Sequence, residues 1–481
     1  MRFYLTLWIG FITVFSAWGQ SQTLSLEEVI LKAQGASLLA QKAQNLKTTS
    51  FWEWRTFKSN YKPQIVLSGR LPGFSRTSQE VVQPDGTIKF QAVSQSNILS
   101  EITLSQPIGA TGSTVFIASN LQRFDDLNQD SRIYNAVPFQ LGIDQPFFAF
   151  NQLKWDKKIE PLRYRESEQT FLVDMENIAV SAVDLFFYLL VAQIDYTIAA
   201  TNVSNTDTLY QIAEQKHDMG LISRSDLIQL RLERLRAGQS LSNAEQDLEI
   251  AKLNLRLFLR EQDSVDWELQ LPGKGPEIQI PKDKALREAK ANRPDILSFR
   301  RRNLEAEMAL AKAKGTTGFS ASLFASIGFA QTAGTIDAVY QDPPSQQLIS
   351  LEFTLPIIDW GRTKSQIETA KANLQLEQNE IQQDQIDFEQ SLLTELTLFR
   401  RYFKQVGLSK EVDELSQMRY NIAQERFLIG DLSITDLTLA LREKDQARKD
   451  YIRSLWSYWK SYYSIRELTL YDFASNQKIK Y

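Results

Sequence analysis

The 481-residue sequence predicts a mainly α-helical fold with a β-barrel portion, built by internal duplication. Three observations predict it. A constant shift of 210 residues lays the middle of the chain on its end. Segments with alternating apolar and polar residues precede the longest helices of each half. Heptad spacing then runs on for dozens of residues, the pattern of coiled-coil packing.

Composition removes most other classes. There is no cysteine, which excludes disulfides, thiolate metal sites, a cysteine nucleophile and a lipoprotein anchor. His217 is the single histidine, so multi-histidine metal centres are out. Lys and Arg number 54 against 58 Asp and Glu, which leaves no basic excess to attract nucleic acid. A mean hydropathy of -0.30 excludes a polytopic helical membrane protein. Acidic residues are scattered over the helices without a paired, flanked constellation. No enzymatic activity, cofactor or metal is expected.

The elements follow in order. Arg2, the apolar run Phe3 to Phe15 and the small-residue boundary Ala17-Trp18-Gly19 make a secretory signal peptide cleaved near Gln20. Strong helix formers fill Leu24 to Lys58 and, in the second half, Asp283 to Lys314. These two stretches align loosely at an offset near 256, whereas later positions align at 210. The 46-residue difference places an insertion in the first half, ahead of the strand ending at Pro146: one extra hairpin or a long loop.

Period-two alternation marks the strands. Ile65 and Leu67, Ile88 and Phe90, Ile102 and Leu104, and Phe139, Leu141 and Ile143 alternate in the first half. Phe319, Ala321, Leu323, Ala325, Ile327 and Phe329, then Leu351, Phe353 and Leu355, do so in the second. After Phe150 and Gly361 the period turns helical. Ile367, Leu374, Ile381 and Phe388 recur every seven residues. In Leu241, Ala244, Leu248, Ala251, Leu255 and Phe258 the spacing alternates three and four. The predicted helices span 152–217, 223–260, 363–428 and 433–470. Leu271 to Pro276 is a Pro/Gly linker between the halves.

Register carries the duplication. At an offset of 210, Leu141 falls on Leu351, Pro146 on Pro356, Gly220 on Gly430, Ser223 on Ser433, Asp226 on Asp436 and Arg256 on Arg466. Each long helix, at ~1.5 Å per residue, would reach about 100 Å, and the returning helix only about 57 Å. The first helix of each half supplies the missing length if it stacks end to end on the returning one.

Strands with one apolar face in an exported chain have the pattern of a transmembrane barrel. A lipid-exposed sheet must close, and the four to six strands available per chain are fewer than the eight a barrel needs. Several chains must share it. Three chains giving about four strands each would make a barrel of about twelve.

The strand-to-helix segments Gln145-Pro146-Phe147-Phe148-Ala149-Phe150 and Leu355-Pro356-Ile357-Ile358-Asp359-Trp360-Gly361-Arg362 resemble those of the TolC-like outer-membrane efflux proteins. Leu24-x-Leu26-Glu27-Glu28-Val29 resembles that family's N-terminal helix start, and Asn292-Arg293-Pro294-Asp295-Ile296 its repeat in the second half. The turns Gly220 to Asp226 and Gly430 to Asp436 resemble its periplasmic turns. The resemblance implies a homotrimeric channel through outer-membrane lipid, docked at its periplasmic end to a membrane-fusion adaptor and an inner-membrane transporter. On this reading residues 1–19 are the signal peptide, 20–61 a periplasmic helix and 62–151 strands with the insertion. Residues 152–262 form a helical hairpin and 263–282 an equatorial linker. Then 283–317 is the second periplasmic helix, 318–360 the second set of strands, and 361–481 the second hairpin with the C-terminal tail.

The turns have two readings. Ser223-x-x-Asp226 and Ser433-x-x-Asp436 fit the capping box, and Gly220 and Gly430 fit helix-ending glycines. The resemblance adds a gate at Asp226 and Asp436, and an adaptor contact at Gly220, Leu221, Ser223, Gly430 and Ser433. Where the family has a basic gate residue, a second acid and a tyrosine, this chain has Leu432, Leu439 and Phe427. Closure is therefore expected to rest on apolar packing of Phe427, Leu432 and Leu439 around Asp436. A secreted coiled-coil adaptor without a pore is the alternative, and an outer-membrane enzyme with a small barrel a weaker one.

Overall fold

A computed structural model describes residues 22–261, 267–275 and 277–481. The signal-peptide segment 1–19 and part of the linker at 263–282 lie outside the described residues. In chain order the elements are β1 (Gln22–Leu24), α1 (Leu26–Ala36), α2 (Leu38–Ser59), β2 (Gln64–Val82), β3 (Ile88–Ile108), β4 (Ser113–Asp126), β5 (Ser131–Phe147), α3 (Gln152–Asp218) and α4 (Arg224–Leu259). There follow β6 (Trp267–Leu269), α5 (Lys282–Asn292), α6 (Pro294–Thr317), β7 (Ser320–Ala333), β8 (Ser345–Thr354), α7 (Arg362–Leu428), α8 (Ile434–Thr469), β9 (Tyr471–Asp472) and β10 (Gln477–Lys478).

The duplication is visible in the lengths. Helices α3 and α7 are both 67 residues long, and α4 and α8 both 36, each pair in the 210-residue register. Helices α1 and α5 are both 11 residues long and keep the other offset: Val29 and Ala33 are buried, as are Ala285 and Ala289.

Each predicted first helix is broken in two, at equivalent places. Ser37 is extended at φ -63, ψ 153, and its hydroxyl accepts from the Ala40 amide at 3.1 Å, starting α2. Arg293 is extended at φ -76, ψ 142, because the ring of Pro294 disfavours helical geometry in the residue before it. Ser25 starts α1 through a full capping box with Glu28; the Ser25 backbone amide, then its hydroxyl, hold the Glu28 carboxyl below its usual range.

Contacts divide the chain into two compact units. One comprises the described residues up to Leu46 with those of Gln169–Arg293 and Phe388–Tyr481; the other is Lys47–Glu168 with Pro294–Asp387. In the first unit β1 pairs in parallel with β6 beside α1 and α5, and β9 and β10 form a small hairpin. Its core holds the aromatic run of α8. Tyr458 is fully buried and stacks on Phe399 at 5.2 Å. The indole nitrogen of Trp456 donates to Asp184 at 2.8 Å. Packing, not an exposed stacking platform, explains these rings. One stretch of α3 is apolar enough for a membrane span, but Phe186, Phe187 and Leu189 within it are buried in the same core.

The second unit holds one six-stranded sheet in the order β2-β3-β4-β5-β7-β8, every neighbour antiparallel. Six strands, not about four, come from one chain. The hairpins β4–β5 and β7–β8 run 113–147 and 320–354, spans of equal length that correspond across the duplication. The hairpin β2–β3 has no counterpart, so the 46-residue insertion is the extra hairpin. Its turn, Gln83-Pro84-Asp85-Gly86-Thr87, places Gly86 at φ 80, a conformation that favours glycine.

Candidate functional site

Two regions could move solute: the sheet and the helix turns. The register puts Ile65 opposite Leu104, Leu104 opposite Ile117, Ile117 opposite Leu141 and Leu141 opposite Ile327. Leu67, Ile102, Ile143, Ala325, Ile349 and Leu351 lie on the same face. That face is mostly apolar, with Ser119 opposite Ile102 and Gln347 opposite Ile327 as polar exceptions, and it is most exposed near the two edges: Leu67 is 74% and Ile349 78% accessible. The opposite face carries Glu101, Thr103, Ser105, Asn120, Gln122, Gln140, Asp144, Ser322, Ser326 and Glu352. Gln140 Nε2 donates to Ser326 Oγ at 3.0 Å across β5 and β7, and Gln122 Nε2 to Asn97 Oδ1 at 3.1 Å across β3 and β4. Such a sheet separates an oily phase from an aqueous one.

Apolar residues also occur on the polar face: Val66 opposite Thr103, Leu348 opposite Ser326, and one aromatic pair. Phe116 stacks on Phe324 with ring centroids 5.8 Å apart, leaning over Gly142 on the strand between them. A Cβ at Gly142 would lie 2.3 Å from the Phe116 ring, so only glycine admits the contact.

The Leu221 amide donates to Lys216 O at 2.8 Å and Gly220 to His217 O at 2.8 Å, with Gly220 at φ 74. In the second half Asp431 donates to Arg426 O at 2.9 Å and Gly430 to Phe427 O at 3.1 Å, with Gly430 at φ 82. Both are Schellman closures that satisfy the last helical carbonyls. Ser223 then opens α4 with a reciprocal box: its hydroxyl accepts from the Asp226 amide at 3.1 Å, and its own amide donates to Asp226 Oδ2 at 3.2 Å. Ser433 accepts from the Asp436 amide at 3.1 Å, and its hydroxyl donates to Asp436 Oδ2 at 2.6 Å. His217 is a last-turn residue, its Nδ1 3.2 Å from Ile222 O.

Phe427 and Leu432 come together. Phe427 is 6% exposed in an apolar cluster with Ala213, Leu230, Tyr420, Ile434 and Leu437, against which Leu432, Ile222 and Leu227 pack. This cluster joins the two hairpin turns of one chain. Leu439 lies outside it, 47% exposed, and Asp436 is exposed while Asp226 is half-buried. Leu221 is exposed beside Met219, as is Ile429 beside Gly430.

Sequence reasoning missed one buried polar cage in the first unit. The Glu176 side chain is fully buried and receives Arg466 Nε at 3.0 Å and Nη2 at 2.9 Å, with the Tyr481 hydroxyl donating at 2.5 Å. Burial works against the Arg466 charge, but the Glu176 bonds and charge outweigh it and raise the pKa. The signal was Arg466 lying among aromatics on α8. Its partner, 290 residues earlier, had none.

Residues 96–259 and 285–469 match the outer membrane efflux protein family, one segment in each half of the duplication. The chain belongs to that family. Among curated proteins, no sequence matches. Solved structures share the fold. The Campylobacter jejuni CmeC outer membrane channel superposes with a TM-score of 0.67 at 17% identity, over 95% of this chain and 87% of that one. The outer-membrane channel OprN gives 0.67 at 15% identity, over 92% and 89%. The open state of the Neisseria gonorrhoeae MtrE outer membrane channel gives 0.60 at 13% identity, over 92% and 88%. As an outer membrane efflux protein the chain is a channel-tunnel of the outer membrane with a large periplasmic helical portion. It is a transport duct, not an enzyme, and the secreted adaptor without a pore finds no support.

Proposed function

We propose that three copies of this chain close one barrel and form the passive exit duct of an efflux or type I secretion assembly. A periplasmic membrane-fusion adaptor docks at the turns, and an inner-membrane transporter supplies energy and cargo. The observation that carries this reading is the two-faced sheet of an efflux-family chain, with one side mostly apolar from β2 to β8. An open sheet in lipid leaves edge amides and carbonyls unsatisfied, so copies must join edge to edge.

The turns serve as gate and docking surface. Asp226, Asp436 and Leu439 form the closing ring with their copies, while Phe427 and Leu432 hold the two turns of each chain together from within their cluster. Gly220, Leu221, Ser223, Gly430 and Ser433 meet the adaptor, with exposed Leu221 supplying the apolar contact.

The decisive measurement is the native mass of protein extracted from outer membranes. Detergent should release a species of three mature chains. A monomer, or protein released by salt alone, would overturn the proposal.

A further inference from the structure

The inserted hairpin sits where a neighbouring copy would otherwise attach. The strands shared by both halves of the duplication are β4, β5, β7 and β8. A sheet of those four would present β4 and β8 as its free edges. In this chain the β4 edge is covered by β3 along its whole length, from Gln95 opposite Asp126 to Ile108 opposite Ser113. The outermost strands are β2 and β8, each paired on one side alone.

The hairpin belongs to the wall and is not draped over it. Ile65 and Leu67 on β2 continue the apolar face through their register partners Leu104 and Ile102. Ser68, opposite Glu101, continues the polar face. Strand β2 has 19 residues and β3 has 21, against the ~10 that cross a bilayer. At ~3.3 Å per residue and a tilt near 40°, β2 climbs about 48 Å, well past an apolar band of about 25 Å. The far half, Ser75 to Asn97, carries mostly polar residues and ends in the turn at Asp85-Gly86. It stands clear of lipid on the side opposite the helices, since α2, α3, α6 and α7 all join the sheet at its other end.

We propose that β2 pairs with β8 of a second copy, so that the trimer closes an eighteen-stranded barrel, not a twelve-stranded one. Barrel diameter grows roughly linearly with strand number, so the bore is about 1.5 times as wide, and barrels of 16–18 strands hold an open aqueous channel. The outer-membrane exit is then wide enough for bulky cargo, and the projecting hairpins form three posts around it. The proposal rests on the trimeric reading above and adds to it which strands meet.

The absence of cysteine makes the test clean. Ser68→Cys on β2 is combined in turn with Gln346→Cys, Ser350→Cys or Glu352→Cys on β8, all on the polar face. A parallel series replaces Ser68→Cys with Asn120→Cys on β4, which shares a rung with Ser68 through Glu101. Membranes are oxidised with copper phenanthroline and run without reductant. The Ser68 series should give covalent dimers and trimers in at least one combination, and the Asn120 series none. Cross-links in the Asn120 series, or none in either series from a protein of trimeric mass, would overturn the eighteen-stranded closure and leave the trimer standing. A protein without trimeric mass would remove the trimeric reading itself.

Discussion

Glu176 and Arg466 show what duplication leaves behind at single residues. Their counterparts at an offset of 210 are Ile386 and Arg256: the arginine survives in both halves and the acid in one. Arg256 Nε is buried without a hydrogen-bond partner, whereas Arg466 is held by Glu176 and gathers Tyr481 and Gln34 around it. Removing one member of a buried pair strands the other charge, which costs about 3–5 kcal/mol. Glu176→Ala should therefore lower the thermal midpoint sharply, while Ile386→Ala should barely move it; equal shifts in calorimetry would refute the assignment. The same core sets an alkaline limit. Burial raises the Tyr458 and Tyr463 hydroxyls to about 12 from an ordinary 10. The unfolded chain releases these protons first, so their contribution is complete below pH 10 and lost as pH climbs towards 12. Melting followed by circular dichroism should show a flat midpoint to about pH 10 and a falling one above it. Tyr458→Phe should soften that fall.

Among elements, the turns show how far local chemistry can be read. Gly220, Ser223 and Asp226 form the Schellman and full capping-box bonds that their spacing predicts. Gly430, Ser433 and Asp436 form the same closure and the Ser433 cap, but the second turn has half of the box, with Asp436 accepting from the Ser433 hydroxyl. Both motifs need only residues within six positions of each other, so a sequence displays them whole. The burial of Phe427 was not legible, because its neighbours Ala213 and Leu230 come from the other hairpin, some 200 residues away. Asn292 to Ile296 reads as a helix start, but its equivalent in the first half is the break at Ser37, not the start at Leu24 to Val29; the break at Ser37 carries no signal, since serine is tolerated inside helices. Because Asp436 is exposed and its Ser433 bonds are local, Asp436→Ala should cost about 1 kcal/mol or less of helix stability. It should nonetheless change single-channel conductance and weaken block by divalent cations in planar bilayers. Unchanged conductance and unchanged block would remove Asp436 from the gate.

For the molecule as a whole, the duplicated plan was readable because period and register repeat over long stretches, whereas the strand count was not. Alternation in β2 and β3 is clear only near the helical end, at Ile65, Leu67, Ile102 and Leu104; beyond it polar residues occupy both faces. A segment that leaves the bilayer has no reason to keep one face apolar, so the pattern that marks membrane strands fades where the hairpin projects. The two faces themselves offer a sharp test, since neighbours on one strand should behave oppositely. Leu141 lies on the exposed apolar face and Gln140 on the polar one, and both are central in the sheet. Arginine on the lipid side of a barrel costs about 2–4 kcal/mol near the bilayer midplane, while the lumen accepts charge. Leu141→Arg should therefore cut the amount of trimer recovered from outer membranes. Gln140→Arg should assemble normally, keep a donor for Ser326, and shift ion selectivity towards anions by adding positive charge to the lumen. If Gln140→Arg failed to assemble while Leu141→Arg inserted, the faces would be reversed, and the apolar side of the sheet would line the channel.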